Sequence, residues 1–274
     1  MSLRDKIEIY GLTDAGIVRD HNEDAIGNDQ DLGLAVLADG MGGHLGGEVA
    51  SAITVTTIVE ALADSLKTIK PGNIDIATGY SLESLAVNDA ISKANKTVFT
   101  SSRENPQYQG MGTTVVVLLF HDNRFTVAHV GDSRLYRYRD YELEQITRDH
   151  SLMQEMVDRG FYTDEQARQS LNKNLVTRAI GIEESVPIDI TEDVALPGDI
   201  YLLCSDGVTD MLEDSIIRKI IRDNEDDLEK IASELIVQSN EAGGKDNISA
   251  ILARPLRPFP AQDSLFSRFF ELFS

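Results

Sequence analysis

The sequence predicts an α+β fold in which helices cover antiparallel sheets. Three observations support this: β-rich stretches fall in sequence-adjacent pairs, helical stretches fall in pairs between them, and turn residues punctuate the strands. The regular alternation of strand and helix that marks a doubly wound parallel sheet is missing. With 274 residues and 42% apolar side chains, the chain can fill a real core as one large domain or two small ones.

Residues 6–14 and 33–39 carry β-branched and apolar side chains at strand density, and the glycine-rich run 40–47 breaks the chain before a helix over 48–67. A second helix is expected over 81–103, with apolar positions at Leu82, Leu85, Ala86, Ala90, Ala94 and Val98. From 113 to 147, short strands are punctuated by His121-Asp122-Asn123, Gly131-Asp132-Ser133 and Arg139-Asp140-Tyr141, which reads as an antiparallel meander with tight connections. Residues 149–182 are polar and mixed, with short helical pieces near 151–159 and 163–170. Strands resume over 186–191, 199–204 and 247–253, with helices over 213–222 and 225–241. Pro255, Pro258 and Pro260 then introduce a phenylalanine-rich segment, so 255–274 is set apart as a tail behind a 1–254 domain.

Charge narrows the function. The 25 basic side chains stand against 46 acidic ones, a formal −21, and a surface tracking a nucleic-acid backbone would have to overcome that repulsion. Nucleic acid is therefore excluded as a partner. The lone Cys204 allows no internal disulfide and fits a reducing compartment. The longest clean apolar run, 115–120, is far short of a bilayer span, and Arg4, Asp5 and Lys6 open the chain without a secretory apolar region. The expectation is a cytoplasmic protein with no transmembrane segment.

Four acidic residues stand out by context. Asp39 ends an apolar strand, Asp132 sits in a turn, Asp206 follows the apolar run 200–204, and Asp246 opens the last strand. Taken singly, each reads as a turn or cap residue, because Asp-Gly is a common turn pair. Together they suggest a metal site, since a carboxylate at the end of a buried strand is costly unless it is paired or binds an ion. Oxygen-only donors select a hard cation such as Mg2+ or Mn2+. The run Asp39-Gly40-Met41-Gly42-Gly43-His44-Leu45-Gly46-Gly47 has more glycine than a turn needs, and suggests close backbone approach to a ligand or ion. A dinucleotide fingerprint fails on spacing, because the third glycine should fall at Leu45.

The ordered motifs are more specific. Thr13-Asp14-Ala15-Gly16-Ile17-Val18-Arg19-Asp20-His21-Asn22-Glu23-Asp24 is followed by Ala38-Asp39-Gly40-Met41-Gly42-Gly43-His44 and Gly110-Met111-Gly112-Thr113-Thr114. Then come Val130-Gly131-Asp132-Ser133-Arg134, Thr147-Arg148-Asp149-His150-Ser151, Cys204-Ser205-Asp206-Gly207 and Gly244-Lys245-Asp246-Asn247. In these seven motifs the sequence resembles the bacterial metal-dependent (type 2C) serine/threonine protein phosphatases over about 7–253. The resemblance implies a four-layer αββα sandwich, two packed antiparallel sheets flanked by helix pairs.

It also implies roles. Asp39 would bridge two Mn2+ or Mg2+ ions, the Gly40 carbonyl would complete the second site, and Asp206 and Asp246 would hold the first. Asp24 matches a position that orients metal-held water, and Asp132 matches a third, weaker metal site that can share Asp206. Two such cations can activate a water and clamp displacement at phosphorus. Arg19 would grip the phosphate through its planar fork. His44 would either protonate the departing alkoxide or close the start of the following helix. His150 and 149–182 match a flap beside the cleft, where substrate choice would reside. Cys204 is expected to pack in its strand, because a cysteine phosphatase loop needs Arg where this chain has Asp210. The implied partners are phosphoserine and phosphothreonine proteins, among them a cognate kinase or its targets. Another metal phosphoesterase and a decayed binding module are the competing readings. Leu265, Phe269 and Leu272 form one stripe of the tail with Phe266, Phe270 and Phe273 beside it, a pattern for packing on its own domain, a second subunit, a membrane or a partner.

Overall fold

The computed structural model describes residues 2–42, 45–163, 166 and 175–261. In chain order the elements are β1 (Ile7–Asp14), β2 (Asp24–Asp29), β3 (Leu34–Met41), α1 (Gly46–Ser65), α2 (Leu82–Glu104), β4 (Gly112–Thr113), β5 (Val115–His121), β6 (Arg124–Val130), β7 (Arg134–Arg139), β8 (Glu142–Gln145), α3 (Leu152–Asp158), β9 (Asp189–Val194), β10 (Ile200–Cys204), α4 (Asp206–Thr209), α5 (Asp214–Asp223), α6 (Leu228–Glu241) and β11 (Ile248–Pro255). One sheet runs β1-β11-β10-β7-β8 and the other β2-β3-β5-β6-β9, with β4 added on β3. The pairings are antiparallel.

Three apolar layers hold the sandwich together. Leu34, Val36 and Ala38 of β3 turn toward Ile58 and Leu62 of α1 and Val87 and Ile91 of α2. Ala35 and Leu37 of the same strand turn instead toward Tyr201, Leu203 and Ile251 of the facing sheet. On the far side, Leu202, Ala250 and Leu252 pack against Ile217 and Ile221 of α5 and Ile231 and Leu235 of α6. Strands buried on both faces need no polar alternation, which is why 115–120 reads as an unbroken apolar run. Full burial of each such Leu or Ile contributes roughly 1.5–3 kcal/mol. Phe120 anchors the middle layer edge-on to Tyr201, at 5.2 Å between centroids and 77°.

The predicted meander is only half present. Asp122 and Asn123, both at positive φ (44° and 56°), close the β5–β6 hairpin, and Asp140 and Tyr141 (51° and 67°) close β7–β8. Gly131-Asp132-Ser133, by contrast, does not pair its flanking strands: it carries the chain from one sheet to the other. Gly131 has φ +108°, and a Cβ there would lie 2.6 Å from the Thr114 side chain, so the crossover passes through a gap that only glycine fits. Strand β2 was not expected, because Asp24, Asn28 and Asp29 give it polar content. β9 begins at Asp189, three residues after the expected 186, and α4 follows directly on β10. The expected helical piece over 163–170 lies largely outside the described residues.

Helix α1 has the length and composition of a membrane span, but its Ala50, Ile58 and Leu62 are buried against sheet and helix. From 255 to 261 the chain stays on the body: Phe259 is 1% exposed and packs edge-on to Phe120 at 5.9 Å and 85°. The stripe at 265–273 lies outside the described residues.

Candidate metal centre

The two sheets bring their carboxylates together at one end. Asp24 of β2 stands directly opposite Asp39 of β3 in register. Ser205, at the end of β10, donates to Asp24 Oδ2 at 2.9 Å, and Ser249 of β11 donates to the same oxygen at 2.6 Å. Asp24 therefore joins the strand pair of one sheet to two strands of the other. Asp206 follows Ser205 at the start of α4, and Asp246 precedes β11 rather than opening it. Asp132 comes in on the Gly131 crossover and is 9% exposed.

Glycines permit the close approach. A Cβ on Gly40 would lie 2.2 Å from the Gly47 carbonyl oxygen and 2.5 Å from that of Glu23, while one on Gly207 would lie 2.0 Å from the Asn247 carbonyl oxygen. The glycine run thus lets backbone approach backbone, with Gly40 N–H donating to the Glu23 carbonyl at 3.1 Å. Asn247 braces the loop before β2: its Oδ1 accepts from Glu23 N–H at 2.8 Å, and its Nδ2 donates to the carbonyls of Ala15 at 3.0 Å and His21 at 2.8 Å.

The electrostatics are dominated by burial and like charge. Burial is the first cause that raises Asp39 well above the carboxylate range, and neighbouring Asp24, Asp206, Asp132 and Asp246 add to it. Asp206 is pushed up by burial and then by Asp132, Asp210, Asp246 and Asp24. Asp24 and Asp132 are each raised to about 6, burial again first, with Asp149 the leading charge acting on Asp132. Arg19 reaches in and donates from Nη2 to Asp246 Oδ2 at 2.7 Å. Asp24 Oδ1 and Asp206 Oδ1 are buried with no hydrogen-bond donor among the described residues. Orphaned carboxylate oxygens amid like charge fit a divalent cation with hard oxygen ligands.

The structure thus gathers Asp24, Asp39, Gly40, Asp132, Asp206 and Asp246, with Arg19 at the rim. His44 lies outside the described residues. His150 is 5% exposed at the root of the excursion: its Nδ1 accepts from Gly131 N–H at 3.1 Å, and its ring stacks on His129 at 4.6 Å. His129, His150 and Asp189 bring possible ligand atoms within 4.8 Å of one another. The Arg178 guanidinium, 3.1 Å from His150 Nε2 and 2.9 Å from Asp189 Oδ1, makes that cluster an ion-pair network. The Cys204 thiol is fully buried and pushed up to about 12 by burial, so it is no nucleophile. Sequence reasoning missed Ser205 and Ser249 as supports of Asp24, and Asp210 as a further charge beside Asp206. Ser249 offered one signal, a polar residue in a stretch, 248–253, that is otherwise apolar.

Comparisons with known proteins point to one family. The family model for Protein phosphatase 2C matches residues 17–253. The chain is 34% identical over 243 residues to a serine/threonine phosphatase, Stp, of Listeria monocytogenes, covering 88% of this chain and 92% of that protein. It is 34% identical over 250 residues to the protein phosphatase PhpP of Streptococcus pneumoniae, covering 90% and 96%. The crystal structure of the Mycobacterium tuberculosis serine/threonine phosphatase PstP superposes with a TM-score of 0.81 at 34% identity, covering 91% of this chain and 99% of that one. A structure of the PstP catalytic domain in complex with two manganese ions superposes at 0.76 with 33% identity, covering 91% and 98%. With the αββα sandwich and its cluster of aspartates in place, the match across 17–253 establishes that this chain belongs to the protein phosphatase 2C family.

Proposed function

We propose that the chain hydrolyses phosphoserine and phosphothreonine esters in proteins, using two Mn2+ or Mg2+ ions held by Asp39, the Gly40 carbonyl, Asp206 and Asp246. The observation that carries this reading is the convergence of Asp24, Asp39, Asp132, Asp206 and Asp246 with two buried carboxylate oxygens left without donors. When bound, the ions supply Lewis-acid polarisation of the phosphoryl group and lower the pKa of an attacking water.

The chain's own residues do the rest. Asp24, fixed by Ser205 and Ser249, presents its remaining oxygen to orient that water. Arg19, tethered to Asp246, offers its other guanidinium donors to the phosphate. His44 is proposed as the acid for the leaving alkoxide, and Asp132 with Asp206 as a weaker third cation site. We assign 149–182 the choice of phosphoprotein, and place the enzyme in the cytoplasm opposite a serine/threonine kinase. The name of the Listeria relative, a serine/threonine phosphatase, supports the phosphoserine and phosphothreonine reading.

The test is turnover of phosphoserine, phosphothreonine and phosphotyrosine peptides with Mn2+, beside Asp206→Asn. Hydrolysis of the first two, lost in the variant, is expected; activity undiminished by the substitution removes the metal assignment.

A further inference from the structure

One surface away from the metal centre is largely apolar and is not covered by any described residue. Between the C-terminal end of α1 and the N-terminal half of α2 lies a groove of about 320 Å3, lined by the apolar Ile69, Leu82, Leu85 and Ala86 together with the charged Asp89 and Lys93. Ile74 and Ile76, in the connection between the two helices, are 65% and 99% exposed. A groove with exposed apolar residues at its edge is a candidate docking site.

The chain itself arrives there. Phe259 is sunk in the core, and its N–H donates to Asn123 Oδ1 at 2.6 Å. The Ala261 N–H donates to Asp122 Oδ1 at 2.8 Å. The Cβ of Ala261 lies 3.5 Å from where a Cβ on Gly72 would stand. Gly72 belongs to the same helix connection, whose Asn73 carbonyl accepts from the N–H of Leu82, a residue of the groove. From Ala261 to Leu265 is four residues, a reach of up to about 13 Å.

We infer that residues 265–273 dock their apolar stripe, Leu265, Phe269 and Leu272 with Phe266 and Phe273, into the α1–α2 groove of the same chain. The direction follows from where Ala261 sits: the segment enters beside Leu82 and runs along α2 toward Asp89. Charge is compatible with the seating: the groove is lined by both Asp89 and Lys93, exposed and one turn apart on α2, and the segment carries both Arg268 and Glu271, so Arg268 can meet Asp89, which makes no ion pair with a described residue. A short tether gives such a contact an effective concentration on the order of millimolar, so a weak apolar fit suffices.

The full chain tests this. Amide exchange over 61–69 and 82–90 is expected to be roughly tenfold slower in the full chain than in one stopped after Ala261. Asp89→Arg is expected to remove that protection and the double variant with Arg268→Asp to restore it, with turnover of a small aryl phosphate unchanged throughout. Phe269→Cys with Ala86→Cys is expected to form a disulfide within one chain. Equal exchange in the two chains overturns the inference. So does cross-linking only between two chains, which assigns the segment to a second copy, or recruitment to phosphatidylglycerol vesicles without a cross-link, which assigns it to a membrane.

Discussion

Asp24 stands opposite Asp39 in the β2–β3 ladder, and the two serines of the facing sheet that donate to Asp24 use only one of its oxygens. Two carboxylates held at cross-strand distance oppose each other's ionisation, and folding without cations must bear that cost. Much of what can be measured about this protein follows from this pair and its neighbours.

Replacing Asp206 by Asn separates function from stability. The Oδ1 atom of Asp206 is buried without a donor among like charges, so removing the charge should raise the stability of the metal-free protein by about 1–2 kcal/mol. Turnover should fall at least roughly a thousandfold. Denaturant melts in EDTA and initial rates in Mn2+ check the two signs; a destabilised apo variant contradicts the electrostatic account.

The pH dependence has a defined direction. Asp132 titrates at about 6 in the folded chain against 3.8 when unperturbed, so between these values the folded state holds a proton that the unfolded state has lost. Stability from this group is full below about pH 4 and is lost as pH rises to about 6, a total of roughly 3 kcal/mol. Asp132→Asn should abolish that component in EDTA, measured as the variant-minus-wild-type difference at pH 4 and pH 7. Saturating Mn2+ should shrink the difference in the wild type.

Gly40→Ala places a methyl 2.2 Å from the Gly47 carbonyl. A destabilisation of roughly 3 kcal/mol or more is expected, since both partners are backbone. Gly79→Ala, at φ +78° in open space, should cost only about 1 kcal/mol. Equal thermal shifts for the two would show that the close approach is not maintained in solution.

Arg19→Ala should raise KM for a phosphopeptide about tenfold or more, because it removes both the phosphate donors and the partner of Asp246. Arg19→Lys should recover only part, since an ammonium cannot bond bidentately. A change confined to kcat would place Arg19 elsewhere in the reaction.

Excising 152–172 should depress phosphopeptide turnover more than turnover of a small aryl phosphate, as the proposed part of 149–182 in choosing the phosphoprotein requires. Equal losses on both substrates would remove its part in substrate choice.

The sequence by itself determined the fold class and the two helix pairs, and it singled out the four aspartates whose contexts together suggest a hard cation, because burial pattern and turn chemistry are local properties of the chain. It marked Gly40 and Gly207 within their motifs but not the backbone each one faces. The tertiary structure decided what sequence distance conceals. Arg19 pairs with Asp246, Ser249 supports Asp24, and Gly131 leads to the opposite sheet rather than closing a meander. Each depends on how two twisted sheets stack, a packing outcome set by the inter-sheet core around Phe120, Tyr201 and Phe259. No local pattern encodes it, because the core that sets it joins residues far apart in the chain.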